Sequence, residues 1–427
     1  MMTNEHLVTI QTCRSEDPET PSAKHHRHGT HRQTSPEATV ERVRPLLPLM
    51  GITRVADVTG LDTLGIPVVM VCRPRARSLS VSQGKGLTLA AARASGLMES
   101  VEHFHAEHIT LPLKLGTVNE LRFGHHLAAI DLMARHAATE LHDNLRLFWV
   151  AGADLAAGGT PTWVPFELVH TDFSLPILAG SGAFLMTSSG LASGNHRLEA
   201  VSHAVCELVE RDAVTLWRLA GKAHQDSRRV DLSTVEDPGC REVLDRYERA
   251  GATVFVWEVT SDVGIAAFAC TLVDREPDPY RPIGPMGGFG CHPSRGIALL
   301  RALTEAAQSR LTLITGARDD VRFGMGSLEE DLEAARRCLA TQGAVPARRS
   351  FLQAPDHASD TFDEDVSWEV EQLRARGLTQ VIAVDLTRHE LGIPVVRVVI
   401  PGLEPLHDIP GYVPGARARA CLREAPP

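Results

Sequence analysis

Apolar residues recur at regular spacing from Thr39 onward, whereas the 38 residues before it show almost no apolar periodicity. Short apolar runs bounded by turn residues predict strands at 67–72, 78–82, 146–150, 253–259, 265–273, 380–386 and 394–400. Gln83-Gly84-Lys85-Gly86 reads as a turn that separates the second of these from a helix over about 88–108. Longer amphipathic stretches predict helices at 197–221, 295–316 and 328–341, and the polar stretches 224–241 and 348–364 read as loop-rich. Strands and helices interleave without a regular βαβ alternation. That predicts a mixed α+β fold, not a doubly wound parallel sheet.

Residues 1–38 read as a disordered, solvated tail rich in Ser, Thr, Pro and Glu. The tail carries His25, His26, His28 and His31; such a run can take a transition metal, but no second ligand class accompanies it. The chain has 427 residues, which at roughly 150 per domain allows two or three units or one large intertwined enzyme domain. Its 43% hydrophobic content is ample for a core. The 53 acidic and 43 basic side chains leave a net charge of −10, which argues against a general nucleic-acid or anionic-membrane binder. An acidic residue, Glu5, and a short Thr-interrupted apolar stretch do not make a secretory signal, and no uncharged run is long enough to cross a bilayer. A soluble, cytoplasmic protein is expected. The eight cysteines lie far apart with neither C-x-x-C nor zinc spacing, so reduced, mostly packed thiols are expected.

Three of the predicted helices put acids or amides on one face and apolar residues on another. In the first, Ser95, Glu99 and Glu102 fall within about 60° of one another on the helix wheel. Two carboxylates one turn apart form a hard oxygen set suited to Mg²⁺, although a lone E-x-x-E is ordinarily a solvated helix face. The second helix follows the small-residue loop Ser189–Asn195 and carries Glu199, Glu207 and Glu210, with His203 between them and Val201, Val205, Leu208 and Leu216 opposite. The third follows Gly287-Gly288-Phe289-Gly290 and carries Arg301, Glu305 and Gln308 on one side. Carboxylates gathered in one place repel unless a metal neutralises them. With Lys85 and Arg nearby, the natural occupant of such a site is a magnesium-bound nucleotide.

The string S-x-x-x-E-x-x-E at Ser95–Glu102 resembles the first ATP/Mg²⁺ motif of the YcaO family. The string N-x-x-x-E-x₇-E-x-x-E-R, from Asn195 through Glu199, Glu207 and Glu210 to Arg211, resembles the second, and Glu305 with Gln308 is similar to the third. The three occur in family order, and the resemblance spans about residues 71–405. It implies a YcaO-like catalytic domain over 39–427, with mixed sheets and long helices around a carboxylate-lined ATP/Mg site. It implies further that Glu99, Glu102, Glu207 and Glu210 hold magnesium. Ser95, Asn195, Glu199, Arg211, Glu305, Gln308 and, as a weaker assignment, Lys85 would contact the nucleotide or order those carboxylates. His103, His105 and His203 lie near the motifs and read as polar neighbours.

YcaO proteins use ATP to phosphorylate a peptide-backbone amide oxygen so that a nucleophile can replace it. Azoline-forming members cyclise Cys, Ser or Thr side chains and commonly end in a P-x-P-x-P tail, whereas this sequence ends Arg-Glu-Ala-Pro-Pro and shows no obvious leader-binding domain. The segments RALTEAAQSRLTLITGARDD and DLTRHELGIPVVRVVIPGLE look closer to members that work with a TfuA-like protein in thioamide formation. The resemblance therefore implies a peptide or protein substrate, a TfuA-like partner, a sulfur donor and a homodimer. Two other readings stand beside it: an azoline-forming cyclodehydratase, and a non-catalytic nucleotide-binding accessory protein. A structural protein whose acidic helices face solvent is the bland alternative.

Overall fold

A computed structural model describes residues 22–139, 141–177, 181–318 and 327–424. The fold is α+β, with nearly all strand pairs antiparallel. One three-stranded sheet is built from β1 (Arg54–Asp57), β2 (Val68–Cys72) and β3 (Val81–Lys85). A larger sheet joins β4 (Leu113–Gly116), β5 (His126–Leu127), β6 (Leu147–Asp154), β7 (Thr160–Pro165) and β8 (Leu191–Ser193) to two late strands, β14 (Ile382–Asp385) and β15 (Val395–Val399). A second three-stranded sheet holds β10 (Ala252–Glu258), β11 (Ala267–Asp274) and β12 (Met286–Cys291). The short strands β9 (Val230–Asp231) and β13 (Arg349–Ser350) pair in parallel.

The helices are α1 (Pro36–Val43), α2 (Leu89–Glu107), α3 (Val118–Leu121), α4 (Arg197–Leu219), α5 (Lys222–Ser227), α6 (Pro238–Arg249), α7 (Arg295–Thr315), α8 (Leu328–Gly343), α9 (Phe362–Ala375) and α10 (Ala416–Glu424). Among the described residues, no helix is long and apolar enough to cross a membrane.

One local arrangement recurs three times and positions the site. A strand ends, a short loop supplies an N-cap, and a long helix folds back along the strand. The pairs are β3 with α2 after Thr88, β8 with α4 after His196, and β12 with α7 after Ser294. Glycine lets strand and helix touch. A Cβ at Gly84 would lie 2.0 Å from both Ala92 O and Gly96 N, and one at Gly290 would lie 2.1 Å from Ala298 O. Val201, Val205 and Val209 of α4 enter a core shared with β15 and α9, while Leu299 and Leu303 of α7 enter a core shared with α6 and β10. α2 packs Leu97 and Val101 against Val69 and Val71 of β2.

Several sequence expectations need correction. The strand expected at 78–82 runs instead through Val81–Lys85, so Gln83-Gly84-Lys85 is strand and not turn. Gly84 serves helix contact, not chain reversal. The stretch 224–241 takes in the end of α5 and the start of α6, whereas 348–364 is largely loop, as expected, until α9 begins at Phe362. Asp237 before Pro238, and the capping box of Thr361 with Glu364, mark those two starts.

The solvated-arm reading fails from Ser22 onward; residues 1–21, with Cys13, lie outside the described residues. Lys24 is buried against Asp365 of α9, Ser22 bonds Asp363, and residues 28–34 reach the central cavity. A polar composition hid this docking, because its contacts are ionic and not apolar. The seven described cysteines are free thiols.

Candidate active site

The three strand–helix pairs open onto one cavity of about 470 Å³. Lys85, Ser95, Glu99, Glu102, Asn195, Glu199, Glu207, Glu210, Arg211, Glu305 and Gln308 all line it. Among the described residues, six glutamates and five Lys or Arg side chains share the wall.

Five of the six glutamates accept from backbone N–H groups, whereas Glu210 is held by Arg211 instead. Glu99 Oε2 accepts from Gln83 N at 3.0 Å, and Glu102 Oε1 accepts from Ser193 N and Ser193 Oγ, each at 2.8 Å. Glu207 Oε2 accepts from Gly190 N at 3.0 Å, and Glu305 Oε1 accepts from Phe289 N at 3.2 Å. Gln308 Nε2 donates to Gln83 O at 2.9 Å, tying α7 to β3. Such bonds fix carboxylate positions before any ligand arrives. Asn195 donates through Nδ2 to Thr39 Oγ1 of α1 at 2.9 Å.

Cations interleave with the acids. Lys85 Nζ lies 2.6 Å from Glu305 Oε2, and Arg211 lies within 3.3 Å of both Glu207 and Glu210. Burial, which alone would raise Glu305, is outweighed by Lys85 and Arg211, so its pKa is lowered. Elsewhere burial prevails. Glu99 and Glu210 are pushed up to about 7 and Glu102 to about 8, chiefly by desolvation, with neighbouring carboxylates adding to the rise at each. Burial and the adjacent Arg301 and Arg32 push His203 well below its usual value, and its Nδ1 lies 2.9 Å from Arg301 Nη1.

Buried carboxylates with oxygen-only donors, destabilised as anions, are what a hard divalent cation would relieve. Among the described residues, no three His, Cys, Asp or Glu side chains already form a metal-holding cluster. The expected ligands are thus positioned on one wall but not drawn together. Mg²⁺ commonly completes its shell with water and phosphate oxygens, so that spacing fits a metal that arrives with a nucleotide.

Several wall residues were not singled out from the sequence. Arg32 Nε lies 3.6 Å from Glu199 Oε1, and Gln33 N donates to Glu199 Oε2 at 2.8 Å. Both belong to the segment read as a tail, and no local pattern marks them. Of the histidines expected as neighbours, His103 and His203 line the cavity, whereas His105 is buried and bonds Val101 O. His31, from the histidine run that could take a transition metal, packs edge-on against His292, at 5.3 Å between ring centroids.

A buried carboxylate wall with interleaved cations, enclosed by sheets and helices, is the donor set that a magnesium-bound nucleotide would need. The family model described as "YcaO cyclodehydratase, ATP-ad Mg2+-binding" matches residues 83–404, and the chain belongs to the YcaO family. ATP and Mg²⁺ are accordingly its cofactors. A Rhizobium leguminosarum bv. trifolii protein named "Uncharacterized protein in tfuA 3'region" is 38% identical over 92% of this chain and 93% of its own length. An uncharacterized protein of Methanothermobacter thermautotrophicus is 32% identical over 91% of this chain and 98% of its own.

Among solved structures, a heterocyclase "in complex with substrate and Cofactor" aligns with TM-score 0.76 and 24% identity over 96% of this chain, which spans only 57% of that protein. YcaO from Methanopyrus kandleri "bound with AMPPCP and Mg2+" aligns with TM-score 0.71 and 24% identity, over 92% of this chain and 98% of that one. Both likenesses establish the fold.

Proposed function

We propose that this protein activates a peptide-backbone amide with ATP and directs its conversion to a thioamide, acting with a TfuA-like partner and a sulfide donor. The observation that carries this reading is the meeting of all three motif helices on one cavity wall. The tfuA-adjacent relative, alike over nearly the whole chain, supports the thioamide branch.

Glu99, Glu102, Glu207 and Glu210 would hold Mg²⁺. Lys85, Ser95, Asn195, Glu199, Arg211, Glu305 and Gln308 would bind the nucleotide or keep the carboxylates in place. Bound ATP with Mg²⁺ supplies an electrophilic γ-phosphorus whose charge the metal disperses. The chain's own task is alignment. The wall must orient the phosphoryl group toward the amide oxygen, and Lys85, Arg211 and Arg301 must meet the charge that develops.

Chemical balance is simple. The amide oxygen bonds to phosphorus and ADP departs. Hydrosulfide then bonds to the amide carbon, the C–O bond breaks, and phosphate leaves with the sulfur proton. The products are thioamide, ADP and phosphate, with no redox change. Phosphorylation is needed because an unactivated amide expels its oxygen too slowly.

Purified protein, the TfuA-like protein, candidate peptide, Mg²⁺-ATP and sulfide should yield a peptide in which one oxygen is replaced by sulfur. ADP release should depend on the peptide. Loss of water instead would favour cyclodehydration, the second reading, which the description of the family model supports. No peptide-dependent ADP release under any combination would overturn both enzymatic readings.

A further inference from the structure

Arg73, Arg229, Arg310 and Arg397 are the buried arginines among the described residues. Three have a charge or ring partner, although each leaves one nitrogen without a described acceptor. Arg73 pairs with Glu107, Arg310 pairs with Asp62 and Asp274, and Arg229 lies over the rings of Phe255 and Trp257. Arg397, only 4% exposed, has no ion-pair or aromatic partner among the described residues. Its Nη2 donates to Thr187 O at 2.7 Å, while Nε and Nη1 find no acceptor among the described residues. A buried guanidinium left this way is costly. Burial lowers its pKa to about 10, so it keeps its charge at neutral pH.

The position of Arg397 ties it to the cavity. It sits on β15 directly across from Leu191 of β8, and its acceptor Thr187 precedes Ser188; Leu191 and Ser188 both line the cavity. Glu207 is the carboxylate whose field reaches it, and its own field reaches His103 and His170. His170 is likewise buried with an unpartnered Nε2. Unsatisfied donors at an enclosed position beside a phosphate-handling wall call for an anion.

We propose that Arg397 forms a separate small-anion subsite beside the carboxylate wall, and that in the reaction this subsite holds the hydrosulfide that replaces the amide oxygen. The assignment to hydrosulfide rests on the thioamide reading above; the subsite itself rests on the two unpartnered guanidinium nitrogens and their burial. A single uncompensated positive charge matches a monoanion. The weakly hydrated guanidinium suits a soft anion better than an ammonium would. Holding the nucleophile there keeps it apart from the repelling glutamates until the amide is activated. It then adds to the amide carbon and phosphate departs, as balanced above.

The test uses the full chain and two readouts. Crystals soaked in sodium bromide should show anomalous density at Arg397 Nε and Nη1, absent from Arg397→Met. In the sulfide-dependent assay, Arg397→Met should raise the KM for sulfide roughly tenfold to hundredfold. The Kd for Mg²⁺-AMPPCP should stay unchanged, and Arg397→Lys should recover part of the loss. Arg397→Met should melt at or above the wild-type temperature, because it removes an unpaired buried charge. Absence of bromide at Arg397, or a Met variant that loses nucleotide binding and stability together, overturns the subsite. Bromide binding with an unaltered KM for sulfide overturns the hydrosulfide assignment. If the wild type makes no thioamide yet bromide binds, the thioamide reading falls and the anion subsite stands.

Discussion

Lys24 Nζ lies 2.5 Å from Asp365 Oδ2, with both side chains essentially sealed from solvent. This pair joins the segment before α1 to α9, and from it the chain runs on to Arg32 and Gln33 at Glu199. Breaking a buried pair by removing one partner costs about 3–5 kcal/mol, since the other charge is stranded. Lys24→Met and Asp365→Asn should therefore each lower the melting temperature and weaken Mg²⁺-AMPPCP binding. Calorimetry on the two variants checks both effects; a stability loss with nucleotide affinity intact would uncouple the segment from the site.

Carboxylate-to-amide changes at the wall probe the nucleotide directly. Glu99→Gln and Glu207→Gln keep shape but remove the charge that Mg²⁺ would meet. Each should weaken Mg²⁺-AMPPCP binding by about 1.5–3 kcal/mol, roughly tenfold to hundredfold, in isothermal titration. Unchanged affinity in both would leave these glutamates without a metal role.

Chelation should separate ligand binding from folding. Backbone N–H groups of Gln83, Ser193, Gly190 and Phe289 already hold Glu99, Glu102, Glu207 and Glu305, and Arg211 holds Glu210. EDTA should accordingly leave the melting temperature of the apo protein unmoved and abolish the stabilisation by AMPPCP. With Mg²⁺ present and nucleotide at a hundred times its Kd, that stabilisation should be about 2.7 kcal/mol.

Glu107 carries an acid-sensitive part of the stability. Burial would raise its pKa, but bonds from Arg73 and Ser78 outweigh burial and hold it below the ordinary 4.5. A depressed carboxylate stabilises the fold fully above its unfolded pKa, and the contribution vanishes as pH falls through the folded one. Glu107→Gln should thus be destabilising at pH 7 and progressively less so below about pH 4.5. Melting curves of both proteins across that range test the sign.

At the crossing of β3 and α2 there is no room for a methyl group. The Cβ of Gly84→Ala would meet backbone atoms of Ala92 and Gly96 at 2.0 Å, and backbone cannot swing aside. Overpacking of this kind costs about 1–3 kcal/mol or more. Because Gln83 and Lys85 flank Gly84, nucleotide affinity should fall with stability. A Gly84→Ala protein of wild-type melting temperature would mean the strand does not lie against the helix.

The amphipathic period of α2, α4 and α7 was legible in the sequence, as were the acids on their polar faces, because a helix fixes angular spacing over a few residues. The order of three motifs further identified the family and its nucleotide. α6 and α9 were missed despite ordinary caps, since their first turns lie in polar stretches.

What only the tertiary structure decided was who meets whom. Lys85 reaches Glu305, Gln33 reaches Glu199, and Lys24 reaches Asp365, all across long separations that no local periodicity encodes. Arg397 gives the sharpest case. Its apolar neighbours in IPVVRVVI announce a buried strand, yet whether a carboxylate waits opposite depends on chain packed there from elsewhere. Periodicity is set by backbone geometry along the chain, whereas charge compensation is set by contacts across it.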